Sequence, residues 1–260
     1  MMNQKFWIVL LGLLLLSFPA WGLEQAKIID YENILLNDTG LSDIPKLVNA
    51  ISRIEPLVIG KAKIEKNAEY YLAATRLGIY YHNVAANGLK KGYRGYSKKA
   101  YEILNKITRD PNFIEELKPI ALPYLGSSRA IMGDENTNPV NKIKYVQEGA
   151  AILDEAVSKY NNISYFPLFM RGNVFVALPE FFKKDGVAFQ DYRELDQWNK
   201  RDPSRIPEGV MALVYYNLGN CFKKQKKLAM AMEYWKLAYQ MDPDGSTGKN
   251  AKKMLEIFGE

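Results

Sequence analysis

The chain has 260 residues, with 35 Lys and Arg against 29 Asp and Glu for a net charge of +6, and 48% of its residues are hydrophobic. Its single cysteine excludes an intrachain disulfide, and its single histidine excludes histidine metal clusters and paired-histidine chemistry. Stability must therefore come from packing, for which a chain of this length has ample core.

Residues 1–22 hold one early cation, Lys5, then an apolar run over 6–16 and the small-x-small tripeptide Ala20-Trp21-Gly22. That order predicts a cleaved secretory signal peptide. The run has about 11 residues where a bilayer span needs ~20, so no transmembrane segment is expected in the mature chain, and the lack of a cysteine after the run rules out the usual lipoprotein anchor. Export of this kind implies a periplasmic protein, or a secreted one if the source has no outer membrane. Residues 23–66 are expected to form an N-terminal extension, with a polar entry loop through Asn37, Asp38, Thr39 and Gly40. A capping helix then starts near Ser42 and carries Leu47, Val48, Ile51 and Ile54 at helical spacing.

From residue 67 to 260 one pattern repeats. Gly78, Gly126, Gly172 and Gly219 follow one another at intervals of 48, 46 and 47 residues, each preceded by Leu77, Leu125, Arg171 or Leu218. Each glycine has a candidate second helix behind it, over 100–109, 149–160, 188–198 and 229–240. Asp110-Pro111, Asn161-Asn162, Asp202-Pro203 and Asp242-Pro243 end these helices. The distance from the glycine to the first small residue of the second helix is 12 residues in the fourth unit, 16 in the third and 23 in the second. The excess is expected in the turn inside each hairpin, so that insertions crowd one rim. Residues 247–258 read as a polar closing helix with Met254, Leu255 and Phe258 on one side.

The most complete unit lies between Ala212 and Pro243, where Tyr215, Leu218, Gly219, Phe222, Ala231, Trp235, Ala238 and Pro243 stand in series. This spacing resembles one whole tetratricopeptide repeat, the upstream units being degenerate forms. The resemblance implies an all-α fold, an α-solenoid of about four helical hairpins with N- and C-terminal capping helices, and a function in binding rather than catalysis. Carried over residue by residue, its inward-facing positions are Phe169 and Asn173 in the third unit and Tyr216, Asn220 and Lys223 in the fourth. Asparagine could grip a peptide backbone as donor and acceptor while the aromatics cover apolar ligand side chains, or the same residues could serve packing alone. Members that grip a C-terminal carboxylate need lysine where this chain has Phe169 and Tyr216, so such recognition is not expected.

The search for chemistry returns absences. No G-x-S-x-G, phosphate-binding glycine loop or cysteine pair is present, and the neighbouring carboxylates Asp134-Glu135 and Asp154-Glu155 point in different directions. His82, among Tyr80 and Tyr81, reads as a satisfied helix residue, and Cys221 as a small buried hydrophobe. No enzyme, cofactor or metal is expected. One segment stands out, residues 88–99, with Lys90, Lys91, Arg94, Lys98 and Lys99 beside Tyr93 and Tyr96. It is either a solvated turn or a basic rim for an anionic envelope surface or an acidic protein face. Nucleic acid is not an expected partner of an exported protein. The reading is an exported, non-catalytic scaffold or assembly factor of the bacterial cell envelope that binds a protein or peptide. The alternative is a ligand-binding accessory of a solute transport system, with the apolar loop 176–182 lining its pocket.

Overall fold

The computed structural model describes residues 19–36, 42–60 and 65–259. The early cation and apolar run of the candidate signal, and the loop through Asn37 and Gly40, lie outside the described residues. Among those described, eleven α-helices and three short 3-10 helices account for the regular structure, and there is no strand. They fall into two compact units, one ending at Ala121 and one running from Leu122 to Glu260.

The first unit holds α1 (Pro19–Leu36), α2 (Ile44–Ile59), α3 (Ala68–Gly88) and α4 (Tyr96–Thr108). Residues 23–36, expected as part of a polar entry loop, are helical instead. Ile28 and Leu35, two turns apart, are 3% and 2% exposed with Glu32 buried between them, and these three form the buried side of α1. Asp43 caps α2 by accepting the Lys46 amide at 3.1 Å, and Ile44, Leu47, Ile51 and Val58 are its buried side. Helix α3 lies against both α2 and α4 and is accordingly buried on nearly every face, from Tyr70 to Ala85. A Cβ on Gly78 would come within 2.6 Å of Leu104, which is why glycine stands where α3 meets α4.

His82 is enclosed in this core, with its ring nitrogen 2.9 Å from the Asn83 side-chain oxygen. Burial lowers its pKa to about 4, against the opposing effect of the hydrogen bond to the Asn83 oxygen. The folded state therefore binds a proton less readily than the unfolded chain, whose histidine titrates near 6.5. Stability from this group is complete above pH 6.5 and is lost as pH falls towards 4, at up to about 1.4 kcal/mol for each pH unit. Urea midpoints measured between pH 7 and 4 are expected to fall for the wild type and to fall less steeply for His82→Gln.

The second unit contains α5 (Lys118–Glu135), whose first turn belongs to the preceding unit, then α6 (Pro139–Tyr160), α7 (Phe166–Ala177), α8 (Asp185–Arg201), α9 (Glu208–Lys224), α10 (Leu228–Met241) and α11 (Ser246–Phe258). The glycine pattern again marks helix crossings. A Cβ on Gly126 would press on the Gly149 carbonyl oxygen at 2.9 Å, one on Gly172 on Tyr192 at 2.8 Å, and one on Gly219 on Trp235. The closing helix α11 packs its Phe258 ring 5.8 Å from that of Trp235.

The crowded rim is corrected in the second hairpin. Only three residues, 136–138, separate α5 from α6, because the extra length is helical. Asn138 accepts the amides of Val140 and Asn141, and Pro139 takes the first helical position, so α6 starts ten residues ahead of Gly149 and reaches 22 residues. Gly133, facing the Lys142 carbonyl oxygen, keeps the two helices close out to the tip. Longer connections occur only in the first and third hairpins, over 89–95 and 178–184.

Candidate functional site

The five residues proposed for a peptide groove lie on neighbouring first helices, Phe169 and Asn173 on α7 and Tyr216, Asn220 and Lys223 on α9. All but the exposed Lys223 are half-buried. Phe169 and Tyr216 each stand one turn before an asparagine, so the set forms two parallel aromatic-amide pairs.

Both asparagine side chains are already at work inside the fold. The Asn173 oxygen accepts from the Tyr192 hydroxyl at 2.9 Å and from the Asn217 amide at 3.2 Å, while Asn217 also donates to the Tyr192 hydroxyl at 2.9 Å. This triangle links α7, α8 and α9. The Asn220 oxygen accepts from the Trp235 indole N–H at 3.3 Å, joining α9 to α10. The Asn173 oxygen already accepts two hydrogen bonds while the Asn220 oxygen accepts one, so the donor-and-acceptor grip is left only at Asn220 and Asn173 can offer its donor alone. Among the described residues neither amide nitrogen has an acceptor, so each can still donate to a ligand carbonyl. Lys223 places its ammonium 5.1 Å from the Phe258 ring centre, at the edge where α9 meets α11.

Sequence reasoning missed two things here. Asn217 and Tyr192 complete the Asn173 triangle. Arg171, in the place that leucine holds in the other three units, is the centre of an ion cluster. It donates from Nε to one Asp191 oxygen at 2.9 Å and from its terminal nitrogen to the other at 2.6 Å, and its second terminal nitrogen reaches Asp154 at 2.9 Å. Asp191 is 2% exposed, and burial lifts its pKa although Arg171 opposes the lift. Burial also works against the charged form of Arg171, but Asp191 and Asp154 hold its pKa above the ordinary value. Together these charges bind α6, α7 and α8, and they are fully employed in doing so.

The basic segment is divided by structure. Lys91 and Arg94 lie exposed in the connection, where Gly92 and Gly95 take left-handed backbone with φ of 88° and 83°. The side chain of Lys90 lies outside the described residues. Lys98 and Lys99, read as part of the turn, belong to α4 instead, because the turn ends at Gly95. Lys98 pairs with Glu102 at 3.8 Å, and Lys99 reaches Glu55 on α2 at 3.6 Å over the rings of Tyr81 and Tyr96. Beside it lies a cleft of about 320 Å³ lined by Glu55, Ile59, Tyr81, Ile103 and Lys106, of mixed charge rather than uniformly basic.

In the loop 176–182 Phe181 is 65% exposed while Phe182 is half-buried. Cys221 is buried, and burial pushes its thiol up to about 11, so it is no thiolate at neutral pH. Asp154, one of the carboxylates weighed for acid-base work, is tied to Arg171 and Lys184.

Geometry and side chains together define an all-α protein of helical hairpins, each closed by a glycine at its helix crossing. Residues 212–244, spanning most of α9 and all of α10, match the sequence profile of the tetratricopeptide repeat, so this segment reads as one such repeat. No curated protein and no solved structure matches the chain.

Proposed function

We propose that the protein is an exported, non-catalytic scaffold or assembly factor of the bacterial cell envelope, working in the periplasm or outside the cell. It binds a peptide segment of a partner protein along α7 and α9. The observation that carries this reading is the tetratricopeptide repeat at 212–244, with a half-buried aromatic and an amide nitrogen still able to donate on each of two adjacent first helices. A peptide carbonyl would accept from Asn173 and Asn220, and its apolar side chains would cover Phe169 and Tyr216. Export rests on the short apolar run and the Ala20-Trp21-Gly22 tripeptide.

Photo-crosslinking in intact cells tests the groove and the compartment together. A photoreactive phenylalanine analogue at Phe169 or Tyr216 is expected to capture one recurrent protein, while the same group at the exposed Lys236 on α10 is not. The probe-bearing chain recovered in the adduct should itself begin at Leu23. Equal adducts at all three positions would remove the groove from consideration, and recovery of the uncleaved chain would remove export.

A further inference from the structure

In the second unit two hairpin tips lie side by side, carrying the connections 178–184 and 225–227. Lys224 beside one meets Asp185 beside the other at 2.7 Å, and behind them the rings of Phe189 and Phe222 meet edge to face at 5.2 Å. Over 178–185 and 222–229 there are six lysines and two acids, Glu180 and Asp185. Asp185 is occupied by Lys224, and Lys184 is turned to Asp154 at 3.4 Å. Lys183, Lys226 and Lys227 are exposed and have no ion pair among the described residues.

Two of those three stand in unusual backbone. Lys183 has φ of 53° and Lys226 of 62°, and they are the only non-glycine residues with positive φ among the described residues. Left-handed backbone costs a side-chain-bearing residue about 1–2 kcal/mol that glycine avoids. The turns alone would be better served by glycine, so the strain points to a use for the ammonium groups. The same two tips also expose apolar groups: Phe181, 65% exposed with its ring 4.3 Å from that of Phe182, and Leu228 and Met230 at the start of α10, 40% and 41% exposed.

Exposed apolar side chains on the same tips as long unpaired cations suit a soft, anionic, deformable layer. A protein interface would instead bring the apolar groups together in one packed patch with charge at its rim. We propose that these paired tips dock onto an anionic lipid surface, with Phe181 entering the headgroup region and Lys183, Lys226 and Lys227 meeting lipid phosphates. Phe181, Lys183, Lys226 and Lys227 are not among the groove residues, although Lys223 of the groove lies next to this basic stretch, so the protein could hold a peptide partner while resting on a membrane.

The test uses the full chain and vesicles of phosphatidylcholine with or without about one third phosphatidylglycerol, at ~0.1 M salt. In the variant Lys183→Gly with Lys226→Gly and Lys227→Gln, glycine preserves the left-handed turns, so the fold should stay intact. Partitioning onto anionic vesicles is expected to fall by roughly 100-fold, from the attraction each lysine contributes near such a surface. Binding to neutral vesicles, including any due to the N-terminal apolar run, should not change. Phe181→Ser should weaken anionic binding further, and hydrogen exchange on bound wild type should slow over residues 178–184 and 225–228. The proposal is overturned if the lysine variant partitions like the wild type, or if protection appears only elsewhere in the chain. It is equally overturned if the wild type is retained by polyglutamate but not by anionic vesicles, which would make an acidic protein the occupant.

Discussion

Gly219→Leu is expected to destabilise the second unit by on the order of 3–5 kcal/mol. Even the first side-chain atom at residue 219 would press on the Trp235 ring, and would lie 3.0 Å from the Ala231 carbonyl oxygen. Trp235 has nowhere to retreat, since it is fully buried, its indole N–H is bonded to Asn220 and its ring lies against Phe258. Overpacking alone costs ~1–3 kcal/mol, and displacing a buried tryptophan adds to it. Gly209→Leu is the matched control on the same helix, because a Cβ there meets nothing within 4 Å. Thermal unfolding should drop by roughly 10 °C or more for the first variant and hardly move for the second. Faster hydrogen exchange should be concentrated in α9, α10 and α11. Equal melting of the two variants would mean that α9 and α10 do not cross at Gly219.

The crossing glycines were legible in the sequence because their role is steric and local, and a missing Cβ leaves a mark that spacing can find. Helix ends were legible for the same kind of reason, since Asp202-Pro203 and Asp242-Pro243 each stop a helix within one residue. Two elements were hidden. Helix α1 carries Ile28, Ile29, Tyr31, Ile34, Leu35 and Leu36, enough apolar residues for a helix, but the turn-forming run Asn37 to Gly40 that follows drew the whole stretch into the reading of a loop. The early start of α6 was written in Asn138-Pro139, a cap followed by a first-position proline, but the long interval between Gly126 and Gly149 suggested an inserted turn instead. Interval length does not distinguish a longer loop from a longer helix.

The candidate groove was legible at the level of helix faces and not at the level of chemistry. Repeat spacing placed Asn173 and Asn220 correctly on α7 and α9, yet what each amide can offer depends on its partners across helices. Tyr192 is 19 residues from Asn173, and Trp235 is 15 from Asn220. No periodicity within one unit encodes such pairs. The same holds for Arg171, whose place suggested a worn leucine until Asp191, 20 residues on, accounted for its charge.

Arg171→Leu, which restores the residue type of the other three units, is expected to destabilise the protein by ~3–5 kcal/mol despite the apolar gain. The reason is the carboxylate left behind: Asp191 is 2% exposed and takes both of its charged hydrogen bonds from Arg171. Removing one partner of a buried pair leaves an uncompensated charge, which costs more than the intact pair contributes. Lys184 cannot take over, since it reaches Asp154 and lies 4.6 Å from the Phe175 ring. Two measurements separate this account from simple misfit of leucine. Arg171→Leu with Asp191→Asn should recover a good part of the loss, because a neutral amide of the same shape replaces the stranded charge. The single variant should also have a deficit that depends on pH, where a pure packing defect would have one that does not. Burial already raises the folded pKa of Asp191 in the wild type, and losing Arg171, which opposes that rise, lifts it further, so the protonated form is favoured in the variant's fold and that favour is lost as pH rises through the folded pKa. The deficit relative to wild type should therefore be larger at pH 7 than at pH 4. A deficit that does not change with pH, together with a double variant no more stable than the single one, would assign the cost to leucine packing and leave the ion cluster without an energetic role.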